Sequence, residues 1–461
     1  MAVGRSKALP LSRIPSTARC KVVGGTVPLL SGQPNNDLPQ RQTTLRRYLR
    51  DRLGDRWSQR ARPPRWLVSP AVRANRWIAA TLAGFAVALA GCDLGDEPNR
   101  PPQLGPSSDD DEAAVQLGFP SSATRNTVRV GGDDAAGDAA GVASAAYPAT
   151  TDSSRPNAVV LVTEDDWQGA VAAAVLAAKP IGAPLLISGD GDLPDVTSDT
   201  LERLDPRGSD LSKDAQVIRI GDEPAKPGGF RTARIEGKDP YDMAAAIDRF
   251  FSAARGGASE NVVVTTGEQP EFAMPAAAWA ARSGDSVLFV KRDRVPAATF
   301  KALAAHNNVK IFVLGPESAI SDKVLEDLRE LGRVTRIGAP TPVRNAIEFA
   351  RYEEGDFGWG ATVPGYNFTV AGTSRPLDAA PAATLATRGV FAPLLLTDRA
   401  DKLPKPLENY FLSVQPGYEG DPGQAVYNRV WILGDDEQVS IAQQAQIDSV
   451  AELIPVQAQA P

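Results

Sequence analysis

Two stretches of this chain are near-copies: "APLLISGDGDLP" at 183–194 and "APLLLTDRADKLP" at 392–404. Long-period repetition constrains a fold more than composition does, because each copy must bury its apolar face against its neighbours. The flanks repeat as well. "NAVVLVTEDD" (157–166), an Ala-rich stretch, the Pro184-Leu185-Leu186 element and "AQVIRIGDE" (215–223) form one unit. "YNFTVAGT" (366–373), "LDAAPAATLATRG" (377–389), the Pro393-Leu394-Leu395 element and "RVWILGDDEQVS" (429–440) form another. A diverged copy lies between them: "ENVVVTTGEQ" (260–269), "FAMPAAAWAARSG" (272–284), "DSVLFVKRDRVP" (285–296) and "VKIFVLGPESAIS" (309–321). From Thr163 to Pro184, Thr265 to Ser286 and Ala371 to Pro393 is 21, 21 and 22 positions, so all three share one register.

Each unit alternates short apolar runs with Ala-rich or amphipathic helices. Runs apolar on both faces suit parallel strands covered by helices, joined by right-handed crossovers. Aromatic residues are only 6% of the chain, so the core must be built from Ala, Val, Leu and Ile. The expected fold is α/β: three repeated small Rossmann-like modules with mainly parallel sheets. Their Ala-rich helices pack closely because methyl side chains allow it.

A hook leads each unit. It reads Arg129-x-x-Gly132-x-Asp134 in the first and Arg234-x-x-Gly237-x-Asp239 in the second, each before an Ala-rich helix. The third keeps Arg336 but has Ala339 in the glycine position. The expectation is that Gly132 and Gly237 supply a positive-φ turn, and that Asp134 and Asp239 cap the following helices. Ala339 should then make the third hook the weakest.

This hook, the "Pro-Leu-Leu-Leu-Thr" strand and an "Ile-Leu-Gly" strand followed by "Val-Ser" together resemble the type 2 cell wall-binding repeat of Gram-positive surface proteins. The resemblance spans roughly 127–455 and is closest in the third unit. The first unit departs from it after "IRIGDEPAKPG", and the second has Ser286-Val287-Leu288-Phe289 for Pro-Leu-Leu-Leu. It implies three modules around a pseudo-threefold axis, 127–230, 231–334 and 335–455, that bind an anionic wall polymer with avidity. The candidate contacts are Arg129, Arg234 and Arg336, since guanidinium groups pair with phosphate or carboxylate in bidentate fashion. The competing role for these arginines is a structural ion pair with Asp134 or Asp239.

The front of the chain is different in kind. Residues 1–91 carry 16 Lys and Arg against 3 Asp and Glu, leaving 33 against 53 for the rest. "RANRWIAATLAGFAVALAGC" has a basic start and an apolar run too short to span a bilayer as a stable helix. Its Leu89-Ala90-Gly91-Cys92 ending resembles a bacterial lipobox. The expectation is a lipoprotein signal at 68–91, lipid on Cys92, and an acidic disordered tether at 92–126. Residues 1–67 are either a cytoplasmic extension or lie upstream of a true start near Val68.

Enzyme chemistry finds little purchase. The single histidine, His306, and two cysteines in unrelated contexts exclude His-based zinc sites and a Ser-His-Asp triad. No Walker loop or nucleophile elbow is present, and no cofactor or nucleic-acid partner is expected. The leading expectation is a non-catalytic, extracytoplasmic, lipid-anchored protein that faces the wall and binds its anionic polymer. The alternative is a solute-binding lipoprotein of a transporter, with ligand at the strand ends "TEDDW" (163–167) and "AGTSRPLD" (371–378).

Overall fold

The computed structural model describes residues 121–456 except Gly389. Cys92, the signal segment, residues 1–67 and the tether as far as residue 120 lie outside the described residues. Two short strands come first, β1 (Ser121–Ala123) and β2 (Thr127–Val130), followed by helix α1 (Ala135–Ala146). The first repeat follows as β3 (Val159–Thr163), α2 (Trp167–Ala173), β4 (Leu185–Ser188), α3 (Asp195–Leu204) and β5 (Val217–Ile220). The second hook forms β6 (Thr232–Arg234) and α4 (Pro240–Arg255). Its repeat is β7 (Asn261–Thr266), α5 (Pro270–Ser283), β8 (Ser286–Val290), α6 (Ala297–Ala304), β9 (Val309–Leu314) and α7 (Asp322–Arg329). The third hook gives β10 (Gly332–Ile337) and α8 (Pro342–Arg351), then a hairpin, β11 (Glu353–Glu354) and β12 (Phe357–Gly358). Its repeat is β13 (Asn367–Gly372), α9 (Ala379–Thr387), β14 (Leu394–Thr397), α10 (Lys405–Ser413), β15 (Gly417–Tyr418), β16 (Arg429–Leu433), α11 (Ile441–Val450) and β17 (Ile454–Pro455).

The described residues form three larger sheets, ordered β4-β3-β5-β6, β8-β7-β9-β10 and β14-β13-β16-β2-β1, beside the two-stranded pairs β11-β12 and β15-β17. In the larger sheets all pairs are parallel except β1 with β2. The strands holding Leu185, Leu288 and Leu394 occupy the same edge position in each sheet. Their leucines are buried, which stabilises each sheet by about 1.5–3 kcal/mol per side chain. Pro184 and Pro393 sit just before that edge, where a missing N–H costs no ladder bond, and their carbonyls accept from Val160 and Thr369.

The hook strands are handed backwards. β6 completes the first repeat's sheet, β10 the second's, and β2 returns to complete the third's. Sheet boundaries therefore run one strand past the expected module limits at 230 and 334, and the first hook closes the ring. The exchange pairs β5, β9 and β16 along their outer sides and moves the sheet edge out to the hook strand, with β1 covering β2 in the third sheet. Part of the expected tether also belongs to the body. β1 pairs with β2, and the backbone N–H of Asn126 donates to Asp448 at 2.8 Å, so order extends at least to residue 121.

The Ala-rich helices α2, α5 and α9 pack against one another in all three pairings, and so mark the pseudo-threefold centre. Ala170, Ala277 and Ala382 are fully buried there. Small side chains let three helices approach where Leu would not fit. The β11–β12 hairpin carries Phe357 and Trp359 onto Trp279 of α5, with ring centroids 4.9 and 5.5 Å away. The third repeat's approach segment thus seals the second repeat's core.

Candidate functional site

The three hook arginines occupy equivalent places, and each reaches the carbonyl of the glycine that ends the preceding sheet's strand. Arg129 Nη1 donates to Gly434 O at 2.6 Å and to Asp435 O at 2.7 Å, its Nη2 donates to Val439 O, and its Nε donates to Gln444 at 3.0 Å. Arg336 repeats the pattern, with Nη1 to Gly315 O at 2.9 Å and Nη2 to Ile320 O at 2.8 Å, and adds Asp322 at 3.0 Å. Arg234 makes one long contact, Nη2 to Gly221 O at 3.4 Å. The guanidinium is a latch between hook and neighbouring unit, and it does not pair with Asp134 or Asp239.

The latches differ in what they leave free. Arg129 is only 8% exposed and its donors are committed. Arg234 is exposed and lies in register beside Arg219 of β5. The loop after β5 lacks a counterpart of the Val439-Ser440 and Ile320-Ser321 turns whose carbonyls receive the other two arginines, which explains the looser contact.

Asp134 and Asp239 do cap their helices, accepting from Gly137 N at 2.7 Å and Asp242 N at 2.8 Å. Sequence reading missed that Thr341 does the same for α8, accepting from Arg344 N at 3.4 Å. The glycines serve another purpose than the one expected. Neither Gly132 nor Gly237 has a positive φ. A Cβ on Gly132 would stand 2.7 Å from the Cα of Gly137, and one on Gly237 would stand 2.3 Å from Met243 N. These hooks lie against the first turn of their own helices, and close approach excludes a side chain. The third hook is degenerate in spelling but holds its latch, with Ala339 N donating to Asn345 at 3.2 Å.

At the strand ends considered for solute binding, Asp166 and Asp378 are engaged by the chain itself. Asp166 accepts from Gly169 N at 2.6 Å to cap α2. Beyond β13, Arg375 bonds both oxygens of Asp378 at 3.2 Å and also pairs with Asp138, which α1 brings across from the ring closure. Asp138 and Asp378 are fully buried. Burial holds both carboxyls above the ordinary range. The neighbouring Asp378 charge pushes Asp138 further up, and Arg375 opposes the shift in each.

Comparison with known proteins falls on this same framework. Residues 234–325 match the family model of cell wall binding domain 2 (CWB2). The match opens at the hook arginine of the second unit and runs through β9 into α7. It therefore covers the copy whose spelling diverged most, whereas the motif resemblance is closest in the third unit. The "Amidase enhancer" of Bacillus subtilis (strain 168) is 25% identical over 186 residues, which is 40% of this chain and 24% of that protein. This chain thus spans about a quarter of that relative's length. Two solved structures share the fold. Cwp6 from Clostridium difficile superposes with a TM-score of 0.56 at 16% identity, over 71% of this chain and 47% of that one. Cwp8 from Clostridium difficile gives 0.54 at 21% identity, over 74% and 53%.

Proposed function

We propose that the chain is a non-catalytic, extracytoplasmic protein whose ring of three CWB2-type modules binds anionic cell-wall glycopolymer, with lipid on Cys92 as its membrane anchor. The observation that carries this reading is the match over 234–325, because it begins at a hook and takes in every strand of one repeat, ending within α7. The exchange of hook strands supports a single rigid ring presenting three related surfaces to one polymer, which favours avidity over single-site affinity. Among the hooks, Arg234 is the contact we assign to polymer, since it is exposed and keeps free donors beside Arg219. Arg129 and Arg336 act in this reading chiefly as latches.

The alternative of a transporter's solute receptor loses support from the third sheet, whose crevice is occupied by the Asp138–Arg375–Asp378 cluster. The deciding experiment is co-sedimentation of the full chain with isolated walls, before and after their anionic polymer is extracted. Retention that depends on the polymer and weakens with salt is expected; equal retention on stripped walls would refute the reading. Detergent partitioning of wild type and Cys92→Ser tests the anchor, and a wild type that stays in the aqueous phase refutes it.

A further inference from the structure

The ends of the three Ala-rich helices bring scattered cations together. Lys179 follows α2 and its short 3-10 extension, Arg282 lies in the last turn of α5, and Arg388 caps α9. All three are exposed and line one cavity of about 660 Å³, joined by Arg155 and Arg207. No carboxylate lines that cavity among the described residues. Asp152 and Asp205 occupy Arg155, but neither Lys179, Arg282 nor Arg388 forms an ion pair among the described residues. Arg282 lies over the ring of Phe391 at 4.9 Å and Arg388 over that of Tyr147 at 4.4 Å. Stacked this way, the guanidinium groups keep their edges free for hydrogen bonds.

Arg282 and Phe391 also line a second, adjoining cavity of about 900 Å³, between the second and third repeats. Trp359, Tyr366 and Trp279 supply aromatic wall, while Glu260, Asp285 and Asp356 make this cavity unsuited to an anion. Two buried polar atoms of its lining have no partner: the acceptor Asn261 Oδ1 and the donor Trp359 Nε1. Buried polar atoms without partners are costly, and a donor with an acceptor in one cavity suits a hydroxylated ligand. Phe391 is 46% exposed and holds a left-handed backbone at φ 51°, a conformation an aromatic residue rarely adopts.

We propose that this double cavity, its cationic half at the meeting of the three Ala-rich helix ends and its aromatic half between the second and third repeats, binds one segment of an acidic glycan. The phosphate or carboxylate sits among Lys179, Arg282 and Arg388, and the adjoining sugar rings lie on Phe391, Tyr366 and Trp359. Charge selects the first cavity for the acid group, and the C–H faces of sugar rings match the aromatic walls of the second. The site is distinct from the hooks, which lie at the sheet edges, and it rests on the glycopolymer reading only for the identity of the natural ligand.

The test is titration of the full chain with oligogalacturonate, poly(glycerol phosphate) and neutral dextran oligomers, followed by tryptophan fluorescence. At least one acidic probe binds and perturbs the tryptophan signal, with dextran much weaker. Lys179→Gln with Arg388→Gln, both exposed positions, weakens acidic binding by about tenfold or more, because two charge-assisted contacts are lost. Phe391→Ala weakens it by about fivefold through loss of stacking area. Failure of both acidic probes to bind, equal binding of dextran, or unchanged affinity in the folded double variant overturns the proposal. Wall retention of the same variants separates the two readings. Wild-type walls binding that survives the double variant sinks the cavity site alone. Acidic binding through the cavity site without wall retention sinks the wall reading alone.

Discussion

Arg129 Nη1 lies 2.6 Å from the carbonyl oxygen of Gly434, a residue 305 positions further along the chain. This contact is one of several that join the first hook to the last repeat, and the same pairing recurs as Arg336 with Gly315 and, more loosely, Arg234 with Gly221.

The three latches should therefore differ in their energetic weight. Arg129→Ala removes several charge-assisted bonds and strands buried carbonyls, for an expected loss of about 3–5 kcal/mol. Arg234→Ala should cost under about 1 kcal/mol, since its contact is long and exposed. Urea denaturation of both variants measures the difference. Equal losses would show that the first hook is not the closure.

The hook glycines give a second expectation. Gly132→Ala and Gly237→Ala should each destabilise by about 1–3 kcal/mol, because the new methyl meets backbone at 2.7 and 2.3 Å. A positive-φ requirement would instead predict that Asn is tolerated at these sites better than Ala. Thermal melts of the Ala and Asn pair decide: clashes disfavour both, and Asn more.

The Asp138–Arg375–Asp378 cluster sets a pH dependence. Both carboxyls have folded values above the usual range, through burial foremost. A raised folded value means that the native state holds the proton more tightly. Its stabilisation is full below the unfolded value near 3.9 and declines as pH rises through the folded values. Asp378→Asn removes the like charge facing Asp138 and should flatten the fall in stability above about pH 4. Urea midpoints measured from pH 4 to 8 would show it, and an unchanged slope would rule the cluster out as the source.

His306 is the chain's single histidine, which makes it a clean probe. Burial alone would lower its value, but the bond to Asp248 at 3.0 Å, that carboxylate's charge and the Ser259 carbonyl raise it. Its stabilising share is present below about pH 6.5 and is lost as pH rises through the folded value. The imidazole resonances should titrate above the free value, and His306→Gln should lose this component; titration below about 6.5 would contradict the Asp248 pairing.

Much of this architecture was legible in the residues, because apolar runs, Ala-rich helices and Pro-Leu-Leu edges obey local rules. The register from Thr163 to Pro184 and its counterparts located equivalent strands without any structure. Which sheet a hook strand joins was not legible, since β2, β6 and β10 would read the same beside either neighbour. Glycine at 132 and 237 was read as a turn, though the same residue also answers to crowding, and only the distance to Gly137 or Met243 separates the two. Arg129 looked like a ligand group because sequence does not reveal that main-chain carbonyls at Gly434 and Val439 absorb its donors. The axial cations were hidden for another reason: Lys179, Arg282 and Arg388 share no motif, and only the meeting of three helix ends unites them. The exposed Phe391, three positions before the buried strand β14, was the one local signal available.

The backward gift of each hook strand has a consequence for chain order. Asn126 binds Asp448 through both backbone and side chain, so the first hook leaves the last helix much as the other hooks leave theirs. Two of the three junctions are covalent and the third is held by hydrogen bonds and one latch. A permuted chain that began at the second or third hook, with 126 and 448 bridged by a linker, would inherit the same three sheets.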